Sequence, residues 1–589
     1  MPSTHNAFEH QRFLVRRPPD NEYPLGEQLR LSWREVMTGK DEPLRFDYPL
    51  EYFNVAALGL CIALTQAVLE PDTLDELAKR LQSGVSDADI EAGIKSLRDL
   101  FTIDGKVRFL QGPKPLDKKG RLDTGHLSEL MLTMKKGDKV FLNRPDDKAV
   151  VTLDQIPLLL FSRSTFFEKS AGRGYLTGTS GDLEIRTFLI DPTSLRRTIW
   201  LNVLTREQQG DLFTAQGKSR GYDAWMWQRP PGDDVAQGAL SLRAGLFWMV
   251  ANAYIDIEEI NDDRPCIVTG EEVTSRVGTG VVVSATGKGY GVKVQREKGP
   301  EVRMSFFQHP NGPWQTIAPA KGDPFDKHLS VGECSGLIGQ MAGLFFASGS
   351  NNHRAAPVVE QFYALRRHGL IDEDARFDLL CFGFHMLSSK QNVHGGYEVE
   401  QYHYPVLGSS DKDPDGALRE AQGIMERSAE RVTKIEWILK RAVQMCTLKE
   451  TDAEEQEDGT LQFKEKKKVK EKKKVDEGGM MRDASTELWT RAAYELATLI
   501  DKIGSVGRTA EDLQNAADDL LIWWTDRIVE HAEAIFLHVF NDYSASPQHL
   551  VAAHKARRLF NGGLYKIDEG IFSRRRTTTE QAPVEETTS

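Results

Sequence analysis

The spacing of apolar residues changes at about residue 410, and this change restricts most strongly what the chain can fold into. Beyond it, apolar residues recur every three or four positions in two long runs: Leu488, Ala492, Leu496, Leu499 and Ile503, then Leu513, Ala516, Leu520, Trp524 and Ile528. This period places the apolar side chains on one face of a helix. Similar patterns near 415–446 and 546–566 indicate two more helices. Four such helices can bury their apolar faces against one another, which predicts a four-helix bundle over residues 411–570.

Before residue 410 the pattern is mixed. An apolar helix is predicted over Leu50–Leu69, and a shorter one begins after Ser86, with Asp89 completing a capping box. Short β-rich pieces then alternate with Gly, Pro and Asp turns, namely Lys139–Asn143, Glu184–Ile190, Val277–Ser284 and Gly291–Gln295. A chain of 589 residues favours several domains. The predicted fold class is α+β, with a large irregular mixed α/β domain at 21–410 followed by the bundle.

Three polar segments are predicted to lie outside these domains. Residues 1–20 and 571–589 have the composition of flexible tails. An insertion at about 450–480 contains the run Lys464–Lys474, whose dense charge cannot bury a face. It is interpreted as a disordered loop between helices, with a nucleic-acid tether as the alternative.

The sequence favours a cytoplasmic protein that does not span a membrane. The longest apolar run, Phe53 to Leu69, contains Asn54, Thr65 and Gln66 and falls short of the ~20 residues that cross a bilayer. Met1–Arg17 lacks the apolar core of a signal peptide. The five cysteines are widely spaced, which argues against a disulfide scaffold and against a CxxC zinc pattern.

Catalytic signatures are missing from the sequence. It contains no GxxxxGK[ST], HExxH or GxSxG motif, and its histidines do not fall at metal-ligand spacings. Ala285–Tyr290 has the turn chemistry of a hairpin rather than of a nucleotide site. Cys266 is predicted to be a small buried hydrophobic residue. We therefore expect no enzymatic activity, no cofactor and no bound metal.

A glycine-rich stretch at 170–181 is the most informative local feature. It holds four glycines in twelve residues, together with the cation Arg173. Such a backbone can approach a phosphate or a narrow groove where larger side chains would clash, although many glycine-rich loops are only linkers. The formal net charge of −12 argues against a protein that coats nucleic acid over its whole surface, but it leaves room for a local basic patch.

Six short blocks, in order along residues 30–570, resemble the CasA family, the large subunit of the type I-E CRISPR Cascade surveillance complex. Leu195–Thr205 is similar to the family's LRST-x-x-LNVLT block, and Leu242–Trp248 to its RGLFW segment. The other four blocks are Asn54–Leu69, His309–Pro313, Val358–Phe362 and Ala556–Tyr565. The resemblance implies a mixed α/β domain followed by a four-helix bundle.

The resemblance also implies a non-catalytic function. CasA proteins recognise the short PAM beside the target in double-stranded DNA through the minor groove, promote duplex opening and R-loop formation, and recruit the helicase-nuclease in antiviral defence. The implied partners are the backbone, small and crRNA-end-binding Cascade subunits, the crRNA, the target duplex and the helicase-nuclease.

Site residues follow from the same resemblance. Gly172, Arg173 and Gly174 match the glycine loop that enters the PAM minor groove, with Arg173 at a position where one member of the family has glycine. Phe141, Leu142 and Asn143 match a loop near the PAM and the crRNA end. Lys298 matches a lysine finger, with Lys293 and Lys288 as competitors, and Gln391, followed by Asn392, matches a glutamine wedge that opens the duplex.

Two alternatives remain. One is an enzyme with a phosphate-binding glycine loop at 170–181, and the other is a purely structural helical scaffold whose loops are connectors.

Overall fold

The computed structural model describes residues 5–112, 114, 125–131, 148–166, 185–213, 242, 246–247, 251–285, 292–294, 302–304, 314, 317–318, 327–328, 355–372, 377–388, 393–403, 416–448, 453–455, 461–463, 474–507 and 509–567. The chain divides into two compact units. The first contains the described residues up to 403, and the second contains those from 416 onward.

A three-stranded antiparallel sheet begins the first unit. Its central strand is β1 (Arg12–Arg16), which lies between β2 (Gln28–Ser32) and β3 (Arg45–Phe46). Phe8 and Phe13 are fully buried. The predicted flexible tail over 1–20 is therefore wrong from residue 5 onward. A central strand buried on both faces needs only a short apolar run, and polar neighbours conceal that run in the sequence.

Four helices follow, and the apolar one lies inside the unit. They are α1 (Trp33–Met37), α2 (Glu51–Leu69), α3 (Leu74–Ser83) and α4 (Asp87–Ile94). Among the described helices, α2 is the one long and apolar enough to cross a membrane, but 89% of its apolar window is buried within the fold. Its Thr65 hydroxyl accepts a hydrogen bond from Trp33 Nε1 at 3.0 Å. The interpretation of α2 as a core helix is confirmed, and so is the Ser86–Asp89 capping box of α4.

The first unit contains two further three-stranded sheets. One has the order β4-β9-β6, with β4 Val151–Thr152, β6 Ala251–Glu259 and β9 Arg276–Ala285. The other has the order β15-β14-β5, with β5 Arg186–Ile190, β14 Asp378–Ser388 and β15 Val393–His403. Cys266 is buried beside the first sheet, as predicted.

Short elements complete the first unit. The two-stranded pairs are β7 (Arg264–Pro265) with β8 (Glu272–Val273), β10 (Val292–Val294) with β11 (Val302–Met304), and β12 (Ile317–Ala318) with β13 (Lys327–His328). The helices are α5 (Ile156–Phe166), α6 (Leu195–Leu201), α7 (Arg206–Phe213) and α8 (Pro357–Arg367).

The second unit is built on four helices, α9 (Gly416–Cys446), α10 (Lys474–Val506), α11 (Ala510–Ser544) and α12 (Leu550–Tyr565). The apolar positions predicted from their spacing are largely buried, and Trp524 donates through Nε1 to Ser428 O at 2.9 Å. The α+β fold class with a helical C-terminal part is confirmed.

The insertion predicted at 450–480 contains regular structure, contrary to its description as disordered. Strands β16 (Ala453–Glu455) and β17 (Leu461–Phe463) pair antiparallel, and α10 already begins at Lys474. Backbone hydrogen bonds join this pair, and the charge density of the sequence does not show them. Residues 464–473 and the predicted tail at 571–589 lie outside the described residues.

Candidate nucleic-acid interface

The register of the β15-β14-β5 sheet determines where the chain enters and leaves it. Arg186 of β5 lies opposite Phe382 of β14, and Ile190 lies opposite Asp378. Because the two strands are antiparallel, the chain enters β5 from the end of the sheet toward which β14 runs. At that same end β14 leads, after Ser388, into β15.

Two of the predicted DNA-contacting segments therefore reach the same end of one sheet. The segment 167–184, with Gly172, Arg173 and Gly174, leads into β5, and the connection 389–392, with Gln391 and Asn392, joins β14 to β15. The β14–β15 hairpin extends six residues past Phe382, or about 20 Å at the rise of a strand. These five residues themselves lie outside the part of the chain that the structure describes.

The remaining predicted site residues also lie outside the described residues. Phe141, Leu142 and Asn143 belong to 132–147, ahead of β4. Lys298 belongs to 295–301, between β10 and β11, where Val294 pairs with Val302. The competitor Lys293 lies within β10, opposite Arg303.

The turn predicted at Ala285–Tyr290 leads from β9 toward β10. Among the described residues β9 pairs with β4 and β6, whereas β10 pairs with β11. Residues 286–291, on which the predicted turn falls, lie outside the described residues, so the turn stays a prediction.

Among the described strands β5 lies at one edge of its sheet, and one side chain contacts its outer edge. Asn202 follows α6; its Nδ2 donates to Leu189 O at 2.7 Å and its Oδ1 accepts from the Leu189 N–H at 2.9 Å. Both residues are buried. This contact satisfies backbone groups that an edge strand otherwise leaves unpaired, and so it holds the strand into which the glycine-rich segment leads.

The three residues after Asn202 are held in a similar way. Gln361 of α8 accepts from the Thr205 N–H through Oε1 and donates to Val203 O through Nε2, both at 2.8 Å. Sequence reasoning identified Leu195–Thr205 only as a block resembling a family. Asn202 of this block holds the edge strand, and Gln361 holds the backbone that follows it. Amide side chains are therefore the sequence signal that could have revealed the structural role of the block.

Two titratable residues of this sheet, Cys381 and Asp378, are buried in the fold. Burial raises the pKa of the Cys381 thiol, with the nearby Glu400 adding to the effect, so the thiol stays protonated at neutral pH. At the far end of the sheet the buried Asp378 lies 2.6 Å from His403 Nδ1 and accepts from Gln401 Nε2 at 2.5 Å. These contacts join the first and last residues of the hairpin's base.

The described residues include no cluster of three or more His, Cys, Asp or Glu side chains suited to a metal. The expectation that the chain binds no metal stays a prediction.

The model of the family described as CRISPR-associated protein Cse1 matches residues 21–534. Curated protein sequences give no match. Among solved structures, Thermobifida fusca Cse1 matches with a TM-score of 0.63 at 14% identity, covering 96% of this chain and 98% of that one. Thermus thermophilus CasA matches with a TM-score of 0.61 at 13% identity, covering 96% and 100%.

A chain from a structure of a CRISPR RNA-guided surveillance complex matches with a TM-score of 0.57 at 12% identity, covering 95% of this chain and 100% of that one. At these identities the structures share the fold. The family model spans most of the chain, and it confirms the resemblance found in the sequence. The chain belongs to the CRISPR-associated Cse1 family, also named CasA.

Proposed function

We propose that this chain is the large, non-catalytic subunit of a type I-E CRISPR Cascade complex in the cytoplasm. Family membership and a fold shared with a chain of an RNA-guided surveillance complex support this. Its partners are the backbone, small and crRNA-end-binding subunits, the crRNA, the target double-stranded DNA and the helicase-nuclease that it recruits. It has no membrane partner.

Within the complex, the subunit recognises the PAM through the minor groove. The observation that carries this proposal is the shared sheet end reached by the glycine-rich segment and the β14–β15 connection. A minor groove distinguishes mainly A·T from G·C pairs, so backbone groups and a few polar probes give short, permissive recognition. Guide pairing then supplies the sequence specificity.

Each predicted residue has its own role. Gly172 and Gly174 let the backbone enter the groove, and the Arg173 cation is attracted to its negative potential. Lys298 is a second probe of the groove. Gln391, with Asn392 beside it, unstacks the first target pair, which costs a few kcal/mol per base step and starts the R-loop. The loop at Phe141, Leu142 and Asn143 lies near the PAM and the crRNA end.

The test is binding of duplex targets that differ only in the PAM to the reconstituted complex, with and without this subunit. The variant Gly172→Asp/Gly174→Asp places two carboxylates on the groove-probing segment. Its matched control is Gly423→Asp/Gly479→Asp, which adds the same charge at helical glycines where a Cβ meets no atom within 4 Å.

We expect PAM-dependent affinity that requires the subunit, collapses in the first variant and survives in the control. Affinity that ignores both the PAM and the Gly172/Gly174 change would instead favour the scaffold alternative. Turnover of a nucleotide by the isolated chain would favour the enzyme.

A further inference from the structure

Helices α9 and α12 pack closely side by side on the surface of the bundle. Arg431 donates through Nη1 to Ile567 O at 3.3 Å. Further along, Ile438 lies so close to Gly563 that a Cβ there would be 2.8 Å from Ile438 Cγ2. Since the residue number rises along α9 and falls along α12 between these contacts, the helices are antiparallel. We call the line along which the two helices meet the seam. Because Ile438 and Gly563 face each other there, their contact also determines which side chains lie beside the seam.

Basic side chains follow this seam on both helices. Residues three or four apart share a helix face, and we define the α9–α12 basic face by the two rows that this spacing gives. On α9 the row is Arg427, Glu430, Lys434, Trp437 and Arg441; on α12 it is Lys555, Arg558, Gly562 and, just past the helix end, Lys566. Apart from the half-buried Lys555, all are exposed.

The charge of the α9–α12 basic face is opposite to the net charge of the chain. Its two rows hold six cations and one carboxylate, Glu430, whose Oε2 lies 3.9 Å from Lys434 Nζ. Glu426, one position outside the α9 row, accepts from Gln422 Nε2 at 3.1 Å. The sequence of α12 contains no Asp or Glu, although the whole chain has a net charge of −12. The net charge of the chain therefore repels a polyanion, whereas this face attracts one.

An exposed aromatic side chain lies within the same rows. Trp437 is 58% exposed, and the Arg441 guanidinium carbon lies 4.7 Å from its ring centroid. Tyr565, next to Lys566, is 48% exposed. Cations that follow a phosphate backbone, combined with aromatic rings on which bases stack, are typical of surfaces that bind single strands. An acidic protein bound at this face could pair its carboxylates with the cations. It would have no base to stack on the exposed Trp437 ring.

From this combination we propose that the α9–α12 basic face binds single-stranded DNA, with the phosphates on the cations and a base stacked on Trp437. The ligand rests on the proposed function, in which the subunit opens a DNA duplex. The proposed PAM-probing segments belong to the other unit.

The direct test is binding of a fluorescent oligothymidylate of about 20 nucleotides, longer than one typical single-strand site, to the purified full-length chain. Anisotropy is measured between about 50 and 200 mM salt, where phosphate contacts show their salt dependence. The test variant carries Lys434→Gln, Arg441→Gln, Arg558→Gln and Lys566→Gln. The matched control removes four exposed cations of the first unit, through Arg45→Gln, Lys79→Gln, Lys95→Gln and Lys106→Gln.

We expect the test variant to lose at least tenfold in affinity and its log–log salt slope to fall by about 2 to 3, since each contact with a single strand contributes about 0.7. The control should bind like the wild type. Trp437→Ala should weaken binding about tenfold, in line with the loss of one stacked base, whereas Trp437→Phe should retain most of the affinity.

Equal losses in the test variant and the control, or no loss in either, would overturn the proposal. The proposal would also be overturned if the test variant bound DNA like the wild type but no longer assembled with the other subunits. The face would then be a protein-binding surface. PAM-dependent duplex binding by a complex carrying the same four changes reports separately on the proposed function, so the two proposals can fail independently.

Discussion

Gln66 forms a two-way hydrogen bond with the backbone of Leu204. Its Nε2 donates to Leu204 O at 2.9 Å, and its Oε1 accepts from the Leu204 N–H at 2.8 Å. The glutamine side chain is buried within the apolar helix α2. In the sequence it interrupts an apolar run; in the fold it holds the segment that leads from α6 to α7.

Replacing this glutamine should be costly for stability. Gln66→Met keeps the volume but leaves a buried N–H and a buried carbonyl without that partner. The expected loss is about 2–4 kcal/mol in the free energy of unfolding of the first unit, since each unsatisfied buried group costs about 1–3 kcal/mol. Denaturant unfolding measures it. The matched change Gln82→Met, at an exposed position of α3, should stay within about 0.5 kcal/mol.

Adjacent glycines in α12 should respond in opposite directions to the same substitution. At Gly563 an added Cβ would lie 2.8 Å from Ile438 Cγ2, and the β-branched Ile438 side chain has little freedom to move. We expect Gly563→Ala to destabilise the bundle by about 1–3 kcal/mol.

At Gly562 a Cβ meets no atom within 4 Å. There Gly562→Ala should stabilise by about 0.5–1 kcal/mol through helix propensity. Thermal unfolding of both variants checks the pair, and equal effects would contradict the close packing of α9 on α12.

Glu35 should make the first unit sensitive to acid. Burial opposes its ionisation, but hydrogen bonds from Lys40 Nζ at 2.6 Å and from the Ser32 backbone N–H at 2.8 Å prevail and lower its pKa to about 2. A folded-state pKa below the unfolded value of 4.5 means that the stabilisation is complete above pH 4.5. It is lost as the pH falls toward 2.

Ionised Glu35 stabilises the first unit by up to about 3 kcal/mol, because each pKa unit corresponds to 1.36 kcal/mol. We expect Glu35→Gln to be less stable than the wild type at pH 7 and the difference to shrink toward pH 2. Denaturation midpoints of the two proteins at both pH values measure this. A difference that does not change with pH would exclude the ion pairs as its source.

Lys298 and Lys293 can be distinguished by their positions on the β10–β11 pair. Lys298 lies in the connection between the strands, whereas Lys293 lies within β10. If Lys298 is the groove probe, Lys298→Ala should weaken PAM-dependent duplex binding by the complex about tenfold, or about 1.4 kcal/mol. Lys293→Ala is the control and should leave the PAM preference intact. The reverse result would transfer the role to Lys293.

The elements that the sequence predicted well are those that a local pattern specifies. The apolar spacing predicted α9 to within one residue and the end of α12 to within one residue, although α12 starts four residues later than predicted. Ser86 with Asp89 predicted the start of α4. The candidate DNA-contacting residues came from resemblance, and the structure adds only the sheet end that two of their segments share.

Sequence by itself determined the α+β class, the helical bundle and the family, because helix periodicity and short motifs are local and survive without knowledge of the fold. Tertiary structure decided what depends on distant partners. Phe8 and Phe13 are buried because β2 and β3 pair with the strand beside them. Asn202 and Gln66 matter because their amides meet backbone groups 13 and 138 residues away. A buried hydrogen bond needs both of its groups, and no periodicity along the chain shows where the second one lies.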